Sequence, residues 1–412
     1  MRATVSILLI ALAGCVKSTT PDDDPPPPPP WSTDMQTVAD GGNRFALNLY
    51  SQLRDKPGNL FFSPYSIHAA LAMTADGASG TTRDQMVKAL HLPADQDKAL
   101  AAGDLGPYYT ARSGSYELSV ANHLWGQTGY PWRPEFLDRQ KQRFGAGFEQ
   151  ADFRSDPDAV RRQINGWVEE KTGGRIRDLF LQPDVTTNAR MVLANAVYFN
   201  AKWADAFKPD HTRDADFRLA DGGTVRVPLM FRGGKYRYAD PAGFQVLELP
   251  YRARDLALVV ILPSEPGGLP AIERRLTAEN LTTWLGGLGS TDDVQVYLPR
   301  FKLENRFELP AQLQALGMTD PFDPVRADFS GMAPVQPDGR LFLSAAVHKA
   351  FVAVDEAGTE AAAATGVTVT RATARDRQEP VIFRADRPFV FLIRDVKHGT
   401  ILFLGRLTDP TK

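Results

Sequence analysis

The segment from Val354 to Pro380 carries the chemistry that this sequence offers, because its second half has the composition of a peptide that a protease can cut. Residues 371–380 are charged and polar, as exposed, protease-accessible loops are. Residues 359–369 differ, because every second position is small or β-branched: Thr359, Ala361, Ala363, Thr365, Val367 and Val369. A strand with this alternation has one face fit for burial, and Glu360 falls on the other face, where water can reach it.

The alanines of this segment also favour a different structure. Helix propensity alone favours one exposed turn of helix from Glu360 to Ala364. Against that, Gly358 and Gly366 bracket the alanines closely, and residues 367–370 alternate as a strand does. We therefore predict a segment that exists either as a loop or as a buried strand.

Motifs for catalysis and cofactor binding are absent from the sequence. It has no Gly-x-Ser-x-Gly elbow, no His-Glu-x-x-His, no cysteine pair, no phosphate loop and no dinucleotide fingerprint. Six histidines lack ligand-like spacing, and we expect each to be a surface or satisfied core residue: His68, His91, His123, His211, His348 and His398. We predict that the protein binds no metal and no cofactor and is not an enzyme. The alternative is a catalytic triad whose residues lie far apart in the sequence and are brought together by folding.

Charge and composition exclude other classes of function. The formal net charge is -2 over 412 residues and basic residues are spread among acidic ones, which argues against a nucleic-acid partner. Arg371, Arg375 and Arg377 form a local basic cluster whose simplest interpretation is a solvated loop. With 43% hydrophobic residues, the chain has enough apolar side chains for one large core or two smaller ones. We expect a monomer.

The N-terminus has the pattern of an export signal. Met1-Arg2 precedes an apolar run from Val5 to Ala13, which is too short for a permanent membrane span. The run ends in Leu-Ala-Gly-Cys15, which resembles the bacterial lipoprotein box, where the cysteine thiol receives diacylglycerol. This resemblance implies a signal peptide at residues 1–14 and an exported protein that is lipid-anchored through Cys15 to a bacterial membrane, on the periplasmic side or at the cell surface. As Cys15 is the only cysteine, the fold has no intramolecular disulfide.

Residues 15–32 have the composition of a linker. Three aspartates at 22–24 and six prolines at 25–30 cannot bury a core and favour extended polyproline geometry. At about 3.1 Å per residue, the prolines would hold a folded domain roughly 20 Å from the lipid. We predict that residues 33–412 form this single domain.

Helix signals precede strand signals in residues 33–412. Apolar stripes and N-cap residues predict helices at Gly42–Arg54, after Ser63, at the capping box Thr82–Gln85 and after Asp156. Apolar runs rich in β-branched and aromatic residues predict strands at 192–199, 245–249, 256–262, 294–298 and 341–354, and a hairpin of 389–394 with 400–404. Helices followed by strands favour an α+β fold.

The domain resembles the serpin family along nearly its whole length. The motifs occur in serpin order at 59–67 (NLFFSPYSI), 165–172 (NGWVEEKT), 193–199 (LANAVYF) with Trp203, 246–251 (VLELPY), 347–349 (VHK), Glu356, 388–391 (PFVF) and 402–405 (LFLG). The resemblance implies three β-sheets, about nine helices and an exposed reactive-centre loop at about 356–380. It also implies a metastable native state in which this loop inserts into the largest sheet. Serpin loop insertion is itself a standard example of such a conformational change.

The family's functional residues carry over by motif. The resemblance implies a shutter, the polar cluster that governs sheet opening, at Ser63, Ser66, Asn195 and His348, where Ser63 is equally explained as a helix cap. It implies a breach, where insertion begins, at Trp203, Arg300 and Glu356, with an ion pair between the last two. It implies a hinge of small residues at Glu356, Ala357, Gly358, Thr359, Glu360, Ala361, Ala362, Ala363, Ala364 and Thr365.

The resemblance implies an irreversible, suicide-substrate inhibitor of serine proteases, or of cysteine proteases. Counting from Glu356 places the reactive bond at Ala372-Thr373, which suits an elastase-like or subtilisin-like protease. If the loop is one residue shorter, Arg371 directly precedes the reactive bond. The segment after Thr373 is long, so the bond after Arg375 is a further alternative. Both assignments predict a trypsin-like target. A non-inhibitory serpin and a structural surface lipoprotein are the alternative functions.

Overall fold

The computed structural model describes residues 29–110, 116–145, 147–337, 339–359 and 379–412. Within these ranges most helices precede residue 172, in agreement with the predicted order. Their bounds are Thr33–Leu53 (α1), Pro64–Ala75 (α2), Gly80–Leu90 (α3), Gln96–Ala99 (α4), Ala101–Thr110 (α5), Pro134–Phe144 (α6), Pro157–Lys171 (α7), Leu269–Arg275 (α8), Ala278–Gly286 (α9) and Pro310–Ala315 (α10). No helix in the described ranges is long and apolar enough to cross a membrane.

Two predicted helix starts are confirmed. Ser63 caps α2 by accepting a hydrogen bond from the Ser66 amide at 3.2 Å. Asp156 caps α7 by accepting from the Ala159 amide at 2.8 Å, and Pro157 occupies the first turn.

Two other predicted starts are wrong. Helix α1 begins at Thr33 and passes through Gly42, the predicted start; a Cβ at the preceding Gly41 would lie 2.3 Å from the His91 carbonyl oxygen, so close packing requires glycine there. Helix α3 begins at Gly80, and Thr82 lies inside it. The Thr82 hydroxyl accepts from the Asp328 amide instead of capping its own helix.

The strands form two hydrogen-bonded assemblies in the described chain. Their bounds are Leu60–Phe62 (β1), Tyr116–Gln127 (β2), Phe148–Ala151 (β3), Met191–Lys202 (β4), Arg213–Arg218 (β5), Thr224–Ala239 (β6), Phe244–Pro250 (β7), Leu256–Pro263 (β8), Gly289–Pro299 (β9), Phe301–Glu308 (β10), Leu343–Val354 (β11), Gly358–Thr359 (β12), Val381–Arg384 (β13), Phe389–Asp395 (β14) and Ile401–Leu407 (β15). The predicted strands correspond to β4, β7, β8, β9 and β11, and β14 with β15 is the predicted hairpin.

The first assembly has the order β10-β11-β12-β4-β2-β3, with an additional pairing of β11 to β4. The second has nine strands, and β6 joins its two halves. In one half, β5 pairs with the first residues of β6, β9 pairs with Leu229–Tyr238 of β6, and β13 pairs with β9. In the other half, Arg237–Ala239 of β6 pairs with β7, and the sheet continues through β8, β14, β15 and β1. The register of β6 shifts between Gly234 and Tyr236, where the halves meet. The α+β class and the three sheets are confirmed.

The sheet that contains β4 divides the core into two apolar clusters. The larger cluster lies between the two sheet assemblies and the early helices. The smaller one lies between the opposite face of β4 and α7, and includes Trp125, Ile164 and Tyr198. Strand β4 is therefore buried on both faces from Met191 to Phe199. A strand inserted beside this part of β4 should therefore carry mostly small or apolar side chains.

Contacts of the folded body extend to Trp31. Its indole stacks on the His398 ring at 3.9 Å between centroids, and its Nε1–H donates to Gln36 at 3.0 Å. The Ser32 hydroxyl then caps α1 by accepting from the Met35 amide at 3.1 Å. Packing of the folded body thus begins at Trp31, two residues before the predicted start of the domain.

Candidate functional site

Strands β4 and β11 are parallel neighbours whose ends diverge. They pair from Leu343↔Met191 to Phe351↔Tyr198. Beyond Phe351 the short strand β12 lies between them, and Thr359 pairs antiparallel with Val354 on one side and Ala201 on the other. The hinge therefore enters the sheet at the point where a further strand would separate β4 from β11.

The position between β4 and β11 beyond Phe351, which β12 occupies, is called the slot below. A tight turn at Asp355 directs the chain from β11 into this slot. The Asp355 carboxylate accepts from the amides of Ala357 and Gly358 at 2.8 and 3.1 Å, and the Asp355 amide donates to the Gly358 carbonyl at 2.9 Å. A Cβ on Gly358 would lie 2.1 Å from the Ala201 carbonyl oxygen. Only glycine fits this approach between β12 and β4.

Thr359 is fully buried at the end of the slot. Its hydroxyl hydrogen-bonds the Tyr251 hydroxyl at 2.6 Å. The Tyr251 ring stacks on Trp203 with centroids 4.8 Å apart and 5° between the planes. Trp203 in turn donates from Nε1 to the Asp355 carbonyl at 2.9 Å and from its amide to the Ala357 carbonyl at 3.0 Å. The two aromatic side chains thus contact the hinge segment at Asp355 and at Thr359, the last described residue.

The breach residues predicted from the sequence lie together. The Arg300 Nε–H donates to both carboxylate oxygens of Glu356, at 2.8 and 2.7 Å, and the Thr212 hydroxyl donates to the same carboxylate. Burial pushes the pKa of Glu356 up, but the hydrogen bonds from Arg300 and Thr212 outweigh it and leave the pKa below its usual value. Glu356 is therefore ionised at neutral pH. Sequence reasoning missed Tyr251, Asp355 and Thr212, although Tyr251 ends the quoted motif at 246–251.

The four predicted shutter residues also lie together, in one hydrogen-bonded network. The Ser63 amide donates to Nε2 of His348 at 3.1 Å, and Nδ1 of His348 contacts the Asn195 side-chain oxygen. Asn195 donates to the Ser66 hydroxyl at 2.7 Å, and that hydroxyl donates to Asn122 at 3.0 Å. Sequence reasoning missed Asn122, which also accepts from Asn195 and donates to the Ser66 carbonyl.

The network determines the protonation of His348. Because Nε2 accepts from the Ser63 amide, Nδ1 carries the proton and donates to Asn195. Burial of the imidazole lowers the pKa of His348 to about 3. A second proton on Nε2 would face the Ser63 N–H and break that contact, so the network requires the neutral ring.

The other buried histidines differ in how they are satisfied. His68 bonds the Leu90 carbonyl through Nε2 at 2.9 Å, as expected for a core histidine. His123 lies between the rings of Trp125 and Trp167, and neither of its nitrogens has a partner among the described residues. The expectation that each histidine is exposed or satisfied is wrong for His123. Burial, with a smaller effect of Lys171, lowers the pKa of His123 to about 4.

Several predicted residues lie outside the described ranges. They are Cys15, the remaining hinge residues Glu360, Ala361, Ala362, Ala363, Ala364 and Thr365, and the reactive-bond residues Arg371, Ala372, Thr373 and Arg375. Within those ranges, no group of three or more His, Cys, Asp or Glu side chains is arranged to hold a metal ion.

Sequence comparison finds relatives along nearly the whole chain. A family model described as "Serpin (serine protease inhibitor)" matches residues 40–410. The leukocyte elastase inhibitor of Bos taurus is 40% identical over 388 residues, covering 91% of this chain and 100% of that protein. Antithrombin-III of Mus musculus is 37% identical over 383 residues, covering 90% and 82%. An uncharacterized serpin-like protein of Thermococcus kodakarensis is 39% identical over 375 residues, covering 90% and 86%.

Solved structures share the fold. Uncleaved ovalbumin superimposes with a TM-score of 0.81 and 30% identity, over 91% of this chain and 100% of that one. Serpin48 of the insect Tenebrio molitor superimposes with a TM-score of 0.82 and 32% identity, over 92% of this chain and 100% of that one. Human thyroxine-binding globulin in complex with its hormone superimposes with a TM-score of 0.83 and 29% identity, over 92% of this chain and 100% of that one. The family match and the shared sheet topology together establish that this chain belongs to the serpin family.

Proposed function

We propose that the protein irreversibly inhibits serine proteases by inserting its cleaved reactive loop between β4 and β11. The observation that carries the proposal is the position of Thr359, which pairs antiparallel with both strands before any cleavage. A protease would attack the loop, form an acyl-enzyme with it and be carried along as the loop inserts. The inhibitor contributes stored strain and no catalytic group.

The geometry of the sheet favours insertion once the loop is cut. The new strand would replace one parallel ladder, between β4 and β11, with two antiparallel ladders. Each added backbone hydrogen bond contributes about 1 kcal/mol net. Both faces of β4 are buried, and the positions after Thr359 are small on either face except Glu360. Charged or bulky residues there would oppose burial, and the hinge sequence has none beyond this one.

We propose a protease with a small specificity pocket as the target. Ala372-Thr373 at the family spacing from Glu356 suits an elastase-like or subtilisin-like enzyme. Curated relatives that carry the name leukocyte elastase inhibitor support this choice. Cleavage after Arg371 or Arg375 by a trypsin-like enzyme is the competing assignment, and mass spectrometry of the reacted loop distinguishes these bonds.

A denaturing gel tests the inhibitory function. The protein is mixed with elastase-like, subtilisin-like and trypsin-like proteases, and an inhibitor leaves a covalent band of summed mass. Thr359→Arg would place an unpaired charge in the slot, so this variant should be cleaved without forming the band. Thr282→Arg, on the exposed surface of α9, is the matched control and should inhibit normally. Unchanged complex formation by Thr359→Arg would contradict loop insertion.

A non-inhibitory role is the second candidate, because the same fold occurs in thyroxine-binding globulin with bound hormone. Heating after loop cleavage separates the candidates. An inhibitor that stores strain should gain a large increase in melting temperature, whereas a merely nicked loop should give none. A structural surface lipoprotein would show neither the covalent band nor this increase.

We also propose that Cys15 anchors the protein to a bacterial membrane after removal of residues 1–14. The support is the Leu-Ala-Gly-Cys pattern, the apolar run before it and the proline-rich linker after it. Expression of Cys15→Ser in a bacterium should move the protein from the membrane fraction to the soluble fraction. A wild-type N-terminal peptide without added lipid mass would refute the anchor and leave the inhibitory proposal intact.

A further inference from the structure

We propose that Tyr251 is a positioning residue that holds Thr359 in the slot before cleavage and thereby sets the fraction of protease encounters that end in trapping. This inference rests on the proposed inhibitory function. It assigns to the residue that directly follows β7 a part in the reaction that none of the breach, shutter and hinge assignments includes.

The Tyr251 hydroxyl has a fixed position. The ring is 2% exposed, stacks on Trp203 and meets Phe199 edge-on with centroids 5.3 Å apart. The Tyr251 amide donates to the Leu256 carbonyl at 2.9 Å, and the residue forms an isolated β-bridge with Trp203. Packing on both faces and at the backbone leaves the hydroxyl aimed at the slot.

Thr359 meets that hydroxyl as the last described residue of the hinge. Both edges of its backbone are paired, and its side-chain oxygen lies 2.6 Å from the Tyr251 oxygen. Neither hydroxyl reaches water, so removing one leaves the other buried without its partner. The contact therefore stabilises the inserted position of Thr359 over an expelled one.

Holding Thr359 in place gives insertion a formed starting point. The conformational entropy of ordering residues 355–359 is lost before the protease arrives, so strand growth begins at the next residue. After acylation, insertion competes with hydrolysis of the acyl-enzyme. If Thr359 starts outside the slot, it must enter the slot before the strand can grow. During this delay, hydrolysis of the acyl-enzyme can release the protease.

The test compares Tyr251→Phe with Tyr50→Phe. Both variants keep the aromatic ring and lose one buried hydroxyl hydrogen bond. In the control, the lost bond is the one that Tyr50 on α1 donates to Glu273 on α8 at 2.7 Å. We expect Tyr251→Phe to slow insertion about tenfold and to raise the number of inhibitor molecules consumed per trapped protease by about twofold or more. Tyr50→Phe should lower the melting temperature without changing that stoichiometry.

Thr359→Val provides a second measure, since it removes the other hydroxyl and keeps the branched shape. It should match Tyr251→Phe, and the double variant should be no worse than either single one. Hydrogen exchange of residues 355–359 without protease should be about tenfold faster in both variants. Unchanged stoichiometry and unchanged exchange would overturn the inference.

The exchange measurement also separates this inference from the function on which it rests. If the wild-type protein forms no covalent complex with any protease, the inhibitory proposal fails, and faster hinge exchange in Tyr251→Phe still supports the holding contact. If complexes form and both variants behave as wild type, only the role of Tyr251 fails.

Discussion

The backbone amide of Ser63 donates to Nε2 of His348 across 3.1 Å, although the two residues are 285 positions apart in the chain. The bond joins the start of α2 to the middle of β11, directly beside the pairing of His348 with Asn195 on β4. Because one imidazole links α2, β11 and β4, its protonation state should affect the stability of this part of the sheet.

We predict that acid destabilises the native state through His348. Its folded-state pKa of about 3 lies below the unfolded value of 6.5, so the unfolded chain binds more protons between these values. The stabilising contribution is complete above pH 6.5 and decreases as the pH falls toward 3. At pH 5 the loss is about 2 kcal/mol for such a group. Thermal melting between pH 8 and 4 measures it.

His348→Gln is the matching variant, because its side-chain oxygen can accept from the Ser63 amide and does not titrate. It should retain part of the stability at pH 7.5 and show a smaller decrease in melting temperature toward pH 4. Some acid sensitivity should remain, since burial lowers the pKa values of His68 and His123 to about 4. An unchanged pH profile would assign the acid sensitivity to other groups.

We predict that Asn122→Ala weakens the shutter network. Asn122 accepts from the Ser66 hydroxyl and from Asn195, and both donors would lose a partner in a buried site. We expect a loss of about 1–3 kcal/mol in the free energy of unfolding, measured in urea. The control is Asn280→Ala, which removes an exposed amide bonded to the Arg275 carbonyl. Equal stabilities of the two variants would show that Asn122 lies outside the network.

We predict that Glu356→Gln loosens the hinge turn. The change removes the charge that Arg300 binds through two oxygens and weakens a hydrogen bond from Thr212. Since Arg300 remains partly exposed, the cost should be about 1–2 kcal/mol. Faster hydrogen exchange at residues 355–359 would report it. Asp216→Asn is the control, because its pair with Arg226 is exposed on both sides and should contribute little.

We predict that Gly358→Ala expels β12 from the slot. The added methyl group would meet the Ala201 carbonyl oxygen at 2.1 Å, a contact that backbone atoms on both sides cannot relieve without separation. Trp203 fluorescence should change, and proteolysis near residues 355–359 should become faster. The control is Gly267→Ala, where no atom lies within 4 Å of the added carbon. Normal covalent complex formation by Gly358→Ala would contradict a requirement for glycine at this position.

Particular residues show where sequence reasoning succeeded. The caps at Ser63 and Asp156 depend on side chains that bond amides three positions away, so local sequence suffices to predict them. The start of α1 was missed because Gly41 and Gly42 resemble a helix stop, and only the approach of the His91 carbonyl explains the first of them. Asn122 was missed because β2 alternates weakly and gives no sign of which side chains meet α2.

Residue types could be read directly from the sequence: a segment of small residues after Glu356, a charged segment beyond it, and the family motifs that name the proposed shutter and breach residues. Three other features required the three-dimensional arrangement: Thr359 lies between Val354 and Ala201, the Tyr251 hydroxyl reaches the hydroxyl of Thr359, and His348 is neutral with its proton on Nδ1. The physical reason is that strand register and burial arise from contacts between residues far apart in the chain, and no local pattern specifies which strands a segment separates.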